Sequence, residues 1–215
     1  MNPPYIKNDI NYLFINHFEM IESLKIRSVS FDTSFLLSDK IWIDKVLRLL
    51  AKDKIPCFIT STVVSELEHL KVWDRISKSE YKRALKRWHQ TYATVIDFKN
   101  RLLSDTFGKS CIRSMEKHHG VKPVDISNDC SILVTTLKNG VDLFLSEDFH
   151  FTSKITKVVI DEVKSIACSE FHQMCDSTLY SIDSYTFLRA YKDGNIDLKI
   201  IEKYIKKIKK SGKRI

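Results

Sequence analysis

The sequence predicts an α/β protein with a central, mainly parallel sheet of four to five strands, helices on both faces and additional helices outside this core. Short segments rich in β-branched and aromatic residues alternate with segments whose apolar residues recur at helical spacing. Such alternation is typical of parallel sheets covered by helices. Hydrophobic residues make up 43% of the chain, and Gly and Pro number only 5 and 4, which excludes collagen-like and disordered classes.

The first predicted strand, over 27–32, is short and rich in Val, Ser and Phe, and it ends at Asp32. An amphipathic helix is predicted before it, over 10–24, because apolar residues there recur at helical spacing. The segment 38–52 shows an apolar stripe and ends before Pro56, so it is predicted to be the next helix.

A second strand is predicted over 57–60, and Ser61 is expected to cap the helix that follows. The spacing of apolar residues then predicts one long helix over 79–103, with a cationic face. A helix over 126–138 is expected to end at Asn139-Gly140, where Gly can adopt a left-handed conformation. Two further strands are predicted, over 141–146 and 157–161.

This pattern predicts three parts of the chain. Residues 1–26 form an N-terminal amphipathic helix, residues 27–165 form the α/β domain, and residues 166–215 form an extension that ends in a basic amphipathic helix. A basic helical insertion is expected over 71–119, within the α/β domain.

The net charge of +8 is unevenly distributed along the sequence. Residues 71–119 carry 12 basic and 5 acidic side chains, and residues 185–215 carry 10 and 3, so each block has a charge of +7. The rest of the chain sums to −6. Such blocks suit the binding of a polyanion, while the acidic parts suit metal chemistry. The alternative is that these lysines are simply solvated.

The cysteine content and the hydropathy pattern predict a soluble, cytoplasmic protein without a membrane segment. Five cysteines are scattered, with no C-x-x-C, so we expect reduced thiols and neither a disulfide framework nor a zinc site. The longest apolar run near the N-terminus is interrupted by polar residues and is too short for a bilayer span or a signal peptide.

Four acids stand at the ends of predicted elements: Asp32, Glu66, Asp129 and Asp148. In parallel sheets the carboxyl ends of the strands form the usual site for ligands, so these side chains are expected to converge there. Crowded carboxylates repel one another unless a cation joins them. Oxygen ligands favour Mg²⁺ or Mn²⁺, and such an ion can activate water and bind a phosphate oxygen. Phosphodiester hydrolysis is the predicted reaction.

The order of these motifs resembles the PIN-domain nuclease family, in its VapC-like or archaeal-type ribonuclease form. The matching residues are Asp32-Thr33-Ser34 after the first strand, Glu66 in S-E-L, Asp129 heading a helix that ends at Gly140, and the Ser146-x-Asp148-x-x-Phe151 turn. The resemblance covers residues 27–165. It implies a Rossmann-like PIN domain, with residues 71–119 and 185–215 departing from the compact toxin-like members.

The resemblance further implies a metal-dependent endoribonuclease that uses Mg²⁺ or Mn²⁺ and leaves 5′-phosphate and 3′-hydroxyl ends. Asp32, Glu66, Asp129 and Asp148 would be catalytic residues and metal ligands, and Thr33, Ser34 and Ser146 would orient carboxylates or water. Asp125, four residues before Asp129, is either an additional ligand or a solvent-facing acid at the start of the helix. Asp142 and Glu147 are expected to be surface acids.

The partner predicted by the basic blocks is RNA. Phosphate contacts are assigned to Lys82, Arg83, Lys86 and Arg87 on the predicted long helix, and to Lys206, Lys207, Lys209 and Lys210 in the C-terminal helix. The C-terminal helix is open to three interpretations: it docks on the domain, it clamps RNA, or it lies on a membrane surface. Four aromatic residues interleave with Lys and Arg and suit base stacking: Trp73, Tyr81, Trp88 and Tyr92. The helical spacing of Trp88 and Tyr92 favours core packing for those two.

Two other functions stay open from the sequence. The first is a non-catalytic RNA-binding or assembly module that keeps its acids. The second is a toxin held by an antitoxin that covers the cleft. A homodimer and a partner in a ribonucleoprotein particle are further options, and neither the RNA substrate nor the number of metal ions can be read from the residues.

Overall fold

The computed structural model describes residues 23–211, with side chains described through residue 204. Within this range the chain forms eight strands: β1 (Ser23–Lys25), β2 (Val29–Phe31), β3 (Cys57–Thr60), β4 (Thr94–Ile96), β5 (Leu143–Leu145), β6 (Tyr180–Ile182), β7 (Tyr191–Lys192) and β8 (Asn195–Asp197). Five of them form a parallel sheet in the order β4-β3-β2-β5-β6. All three residues of β2 are buried, as befits the middle strand of a covered sheet.

Helices flank this sheet. In chain order they are α1 (Thr33–Leu37), α2 (Ile43–Lys52), α3 (Ser61–Val72), α4 (Lys78–Gln90), α5 (Arg101–His119), α6 (Pro123–Lys138), α7 (Phe149–Thr152), α8 (Lys154–Phe171), α9 (Ser184–Ala190) and α10 (Leu198–Ser211). The pairs α5–α6 and α5–α8 make the most extensive helix–helix contacts, and α4 packs on α1, α2 and α3. The predicted α/β class, with a parallel sheet flanked by helices, is therefore confirmed.

A second, small sheet joins distant parts of the chain. It has the order β1-β8-β7, and both strand pairs are antiparallel. Leu24 of β1 lies opposite Ile196 of β8, which is fully buried. The segment that follows β6 is thereby tied to the start of the described chain.

The predicted long helix over 79–103 is wrong. The chain instead forms α4, then β4 at the edge of the main sheet, and then starts α5. Tyr92 breaks the helix because its backbone has a positive φ of 51°, and its side chain is 91% exposed. The helical spacing of apolar residues continues across this turn by coincidence. Strand β4 lies inside the range 71–119, which was expected to be a helical insertion.

The predicted strand over 157–161 is also wrong, because these residues lie inside α8. Val159, Ile160 and Val163 are all buried on that helix. A short run of apolar residues can serve as either a buried strand or the buried stripe of a helix, and periodicity alone does not separate the two. The last strand of the sheet is β6, which was not predicted.

The cysteine prediction is wrong at one pair. Cys168 at the end of α8 and Cys175 form a disulfide, with a Cα–Cα distance of 4.8 Å. The helix ends at His172, whose left-handed backbone turns the chain back and brings the two residues together. Cys57, Cys111 and Cys130 are free and buried.

Two acids expected at the surface are buried instead. Asp142 is 1% exposed and accepts hydrogen bonds from the backbone N–H and the guanidinium of Arg27. Glu147 has a buried side chain that pairs with Lys40 and accepts a hydrogen bond from the backbone N–H of Ser184. Each acid is paired with a residue on a distant segment. The alternation of side chains along one strand does not predict such a partner.

The predicted helix over 10–24 lies outside the described residues except for its last two positions, Ser23 and Leu24, which belong to β1 and not to a helix. Among the described helices, none has the length and apolar character needed to cross a lipid bilayer.

Candidate metal centre

All four predicted acids line one cleft at the carboxyl edge of the main sheet. Asp32 directly follows β2, and Asp148 lies three residues beyond β5, the neighbouring strand. Glu66 and Asp129 come from the first half of α3 and of α6, two helices that contact each other. The sheet order therefore brings together carboxylates that are separated by up to 116 positions in the sequence.

Asp32 lies deepest, with only 4% of its surface exposed. Its Oδ2 accepts hydrogen bonds from the Ser34 hydroxyl at 2.5 Å, from the Ser34 backbone N–H at 3.2 Å and from the Ser146 hydroxyl at 2.9 Å. The bond from the Ser34 backbone makes Asp32 the N-cap of α1, so the local fold fixes the side chain. These three bonds converge on a single oxygen, which leaves Oδ1 outside this set.

Burial raises the pKa of Asp32 to about 6, because a charged carboxylate is costly to remove from water. The hydrogen bonds from Ser34 and Ser146 stabilise the charged form and oppose this effect, and the nearby charge of Glu66 adds to it. With a pKa of about 6 the carboxyl is half protonated near pH 6 and mostly charged at pH 7, so a bound cation would offset the cost of burying that charge.

Two neutral donors hold Glu66. Thr33 donates its hydroxyl hydrogen to Oε2 at 2.6 Å, and Asn128 donates its side-chain N–H to Oε1 at 2.9 Å. Thr33 follows Asp32, and Asn128 precedes Asp129, so the residues next to two of the acids orient a third. Both carboxylate oxygens are thus fixed in direction.

Asp129 shows that the four acids interact electrostatically. Its pKa is raised to about 7, first by burial and then by the charges of Asp32, Asp148 and Glu66. Asp148 caps the short helix α7 by accepting the backbone N–H of His150 at 2.8 Å, and its own backbone N–H donates to Ser146. His150 is the basic group nearest to Asp148, with 3.5 Å between Nδ1 and Oδ1, and among the described residues no lysine or arginine lines the cleft, so the gathered carboxylates suit a divalent cation.

The donor set fits a hard cation. Every acid in the cleft offers oxygen, which is the ligand that Mg²⁺ and Mn²⁺ prefer. Among the described residues, no group of three or more His, Cys, Asp or Glu side chains is placed so that it could hold a metal ion. This arrangement is compatible with Mg²⁺, which usually keeps several waters and binds one or two carboxylates together with substrate phosphates.

Comparison with protein-family models, curated proteins and solved structures gives no match. The interpretation of this cleft therefore rests on its own geometry and chemistry.

Asp125 does not join the cleft. It lies in the first turn of α6, one turn before Asp129, and it is exposed. Its position agrees with the solvent-facing alternative considered above, and it is not among the residues that line the site.

The four cations predicted on one helix face lie in two environments. Arg87 is 4% exposed, and its guanidinium donates to the backbone carbonyls of Leu36 and Ser38 and pairs with Asp44. Arg83 is half-buried and donates to the carbonyl of Leu37 at 2.6 Å. These two arginines therefore fix the segment after α1 and, contrary to expectation, Arg87 does not face solvent.

The other two cations of that set, Lys82 and Lys86, are exposed as predicted. The side chains of the predicted C-terminal contacts lie outside the described range, and these are Lys206, Lys207, Lys209 and Lys210.

Sequence reasoning missed Asn128 and the histidines beside Asp148. The His119 ring lies edge-to-face with His150, at 5.6 Å between centroids, and burial lowers the pKa of His119. Asn128 could have been noticed only as the neighbour of Asp129, because a lone Asn on a helix carries no periodic signal. His119 reaches this place because α5 approaches α7, and α5 was not predicted.

Proposed function

We propose that this chain is a PIN-like, metal-dependent endoribonuclease that hydrolyses RNA phosphodiester bonds with Mg²⁺ or Mn²⁺. The observation that carries the proposal is the convergence of Asp32, Glu66, Asp129 and Asp148 in one cleft. The parallel order β4-β3-β2-β5-β6, with the central strand ending at Asp32, supports the same assignment. So does the raised pKa of Asp129, which is caused first by burial and then by the charges of the other three acids.

In this proposal Asp32, Asp129 and Asp148 would hold the ion, directly or through its bound waters. When bound, the ion supplies charge stabilisation for the phosphate and lowers the pKa of a bound water. Ser34 and Ser146 donate to Oδ2 of Asp32. Their hydrogen bonds fix the carboxylate before any ligand arrives, which reduces the reorganisation needed during reaction.

Glu66 has a different role. Thr33 and Asn128 donate to its two oxygens and set its orientation, so it positions the attacking water and takes a proton from it. A general base acts well only when its direction is fixed within hydrogen-bond reach of the proton.

The proposal is tested by incubating the full chain with single-stranded and structured RNA in Mn²⁺, in Mg²⁺ and in a chelator. Cleavage is expected only with metal, and the products should carry 5′-phosphates. Asp32→Asn, Asp129→Asn and Asp148→Asn should each abolish cleavage while the protein stays folded by circular dichroism. Asp105→Asn is the matched control, because Asp105 is an exposed acid on α5 away from the cleft.

Asp125→Asn should also keep full activity, because Asp125 is exposed and outside the cleft. If wild-type protein binds RNA but cleaves none of these substrates in either metal, the chain is a binding module instead. Retained cleavage by Asp32→Asn would reject the assignment of the cleft as the active site.

A further inference from the structure

Trp73 is a large aromatic residue that lies at the surface, on the wall of the carboxylate cleft. It is 68% exposed, although indole is among the side chains that gain most from burial. It lines the same cleft as Asp32 and Glu66. Its ring stacks on that of His69, with 5.5 Å between centroids and 11° between planes. The pair therefore presents a flat aromatic surface beside the acids.

Helix α3 sets the position of this surface relative to the acids. Glu66, His69 and Trp73 follow one another at spacings of three and four residues, which places them on one face of the helix. Seven residues along a helix correspond to about 10 Å. Successive bases of a stacked strand are about 3.4 Å apart, so the distance along the helix from Glu66 to Trp73 equals about three such steps. The helix ends at this point, because Asp74 adopts a left-handed backbone conformation with φ of 50°.

Exposed side chains of both signs lie close to Trp73 in the sequence, the acids Glu68 and Asp74 and three cations. Lys71, Arg75 and Lys78 are exposed, and they begin the block over 71–119 whose charge is +7. The Lys71 ammonium lies 4.5 Å from the centre of the Tyr81 ring, on the neighbouring helix α4. An aromatic surface flanked by cations is the arrangement by which proteins hold single-stranded nucleic acid: bases stack on rings, and cations contact phosphates.

We propose that Trp73, supported by His69, is the stacking platform for an unpaired base of the RNA substrate, so that the cleft takes single-stranded RNA. This inference rests on the proposed function for the identity of the ligand. A base inside a duplex already has its faces covered by its neighbours and cannot stack on an indole. Continuity with the carboxylate cleft favours RNA over a peptide, since the cleft's oxygen donors suit a cation that binds phosphate.

The test measures binding without cleavage. Full-length protein with Asp32→Asn is titrated, in Mg²⁺, into a short fluorescently labelled oligouridine, and anisotropy gives Kd. Adding Trp73→Ala should weaken binding about tenfold or more, since stacking on one aromatic side chain contributes about 1–3 kcal/mol per base. Trp73→Phe should retain most of the affinity. Trp73→Leu should bind as weakly as Trp73→Ala, because Leu keeps apolar area but has no aromatic face.

Tyr92→Ala is the matched control, since Tyr92 is an exposed aromatic residue that does not line the cleft. It should leave Kd unchanged. A second measurement locates the base: the oligonucleotide is made abasic at each position in turn. At the stacked position, removal of the base should weaken binding to the Asp32→Asn protein but should have no further effect after Trp73→Ala.

Three results would overturn the platform. They are an unchanged Kd for Trp73→Ala, an equal loss for a duplex of the same length, and abasic effects that add fully to that of Trp73→Ala at every position. The first would leave Trp73 to another partner, such as a protein. Each is distinguishable from failure of the nuclease proposal, which is decided by cleavage with wild-type protein and by recovery of intact oligonucleotide.

Discussion

The hydroxyl of Ser146 lies 2.9 Å from Oδ2 of Asp32, although the two residues are 114 positions apart. The same hydroxyl lies 3.1 Å from that of Ser34 and accepts the backbone N–H of Asp148 at 3.0 Å. One buried serine, directly after the strand that pairs with β2, therefore links two of the four acids in the cleft. The link depends on the pairing of β2 with β5, in which Phe31 lies opposite Leu145.

Removal of this link should change the pH dependence of cleavage. The Ser146 hydrogen bond lowers the pKa of Asp32, so Ser146→Ala should raise that pKa above its present value of about 6. The acidic limb of the kcat/KM profile should then move upward by about one pH unit, since a hydrogen bond to a charged group contributes about 1.5–3 kcal/mol. The measurement is cleavage rate against pH at a fixed metal concentration below saturation, where protonation of Asp32 competes with the metal.

Ser30→Ala is the control for this change. Ser30 is fully buried in β2, and its hydroxyl has no hydrogen-bond partner within the part of the chain that the structure describes. It therefore reports the general effect of removing a buried hydroxyl from the sheet. An identical pH profile for Ser146→Ala and wild-type protein would contradict the role given to Ser146.

The two raised pKa values predict that the metal-free protein loses stability as the pH rises. A carboxyl whose folded pKa exceeds its unfolded value favours folding while protonated, so its contribution is present below about pH 4 and is lost as the pH passes the folded pKa. For Asp32 and Asp129 that window runs from about 4 to about 7. Asp129→Asn should therefore raise the free energy of unfolding at pH 8 by an amount on the order of a few kcal/mol.

Chemical denaturation in a chelator at pH 5 and pH 8 provides the measurement. The free energy of unfolding should change less between pH 5 and pH 8 in Asp129→Asn than in wild-type protein. Asp105→Asn is the exposed control. Addition of Mg²⁺ at pH 8 should stabilise wild-type protein more than Asp129→Asn, because a bound cation relieves the repulsion. Equal pH dependence in both proteins would show that the acids do not interact as described.

The positions of the acids could be predicted because each one follows a recognisable local signal. β3 has the bounds read from its sequence, and the Asp after the buried residues of β2 marks the end of that strand. Once the strands are parallel, their carboxyl ends must share one edge. The convergence of Asp32 and Asp148 then follows from topology, without knowledge of any single contact.

The parts that could not be predicted depend on tertiary context. Three-residue strands such as β4 and β6 are too short to show an alternation, and sheet pairing, not propensity, forms them. Asp142 and Arg87 carry charges that are typical of a surface, but each is buried because a partner on a distant segment satisfies it. Long-range partners of this kind leave no trace in local spacing.

Asn128 provides a test of how Glu66 acts. Asn128→Ala removes one of the two donors that fix the Glu66 carboxylate, so kcat should fall by about ten- to a hundredfold, the range typical of residues that orient a catalytic group. The melting temperature should change little, because the side chain is exposed. Ser127→Ala, also exposed and on the same helix, should leave kcat unchanged. A change in KM alone would argue that Asn128 contacts substrate instead.

Substitutions at Arg87 and at the neighbouring lysines should distinguish an effect on stability from an effect on RNA binding. Arg87→Ala removes the charged donor that holds the carbonyls of Leu36 and Ser38, which should reduce the free energy of unfolding by about 1.5–3 kcal/mol. The Kd for RNA should stay unchanged at a temperature where the variant is fully folded. The double variant of Lys82 and Lys86 to Ala should instead keep its stability and bind RNA more weakly.

The salt dependence of binding distinguishes the two cases. Each phosphate contact to a single strand contributes about −0.7 to the slope of log affinity against log salt concentration. The double lysine variant should therefore reduce the magnitude of the slope by about 1.4 if both side chains contact phosphates. Arg87→Ala should leave the slope unaltered, because that guanidinium is buried among backbone carbonyls. A reduced slope for Arg87→Ala with normal stability would contradict the structural role assigned to it.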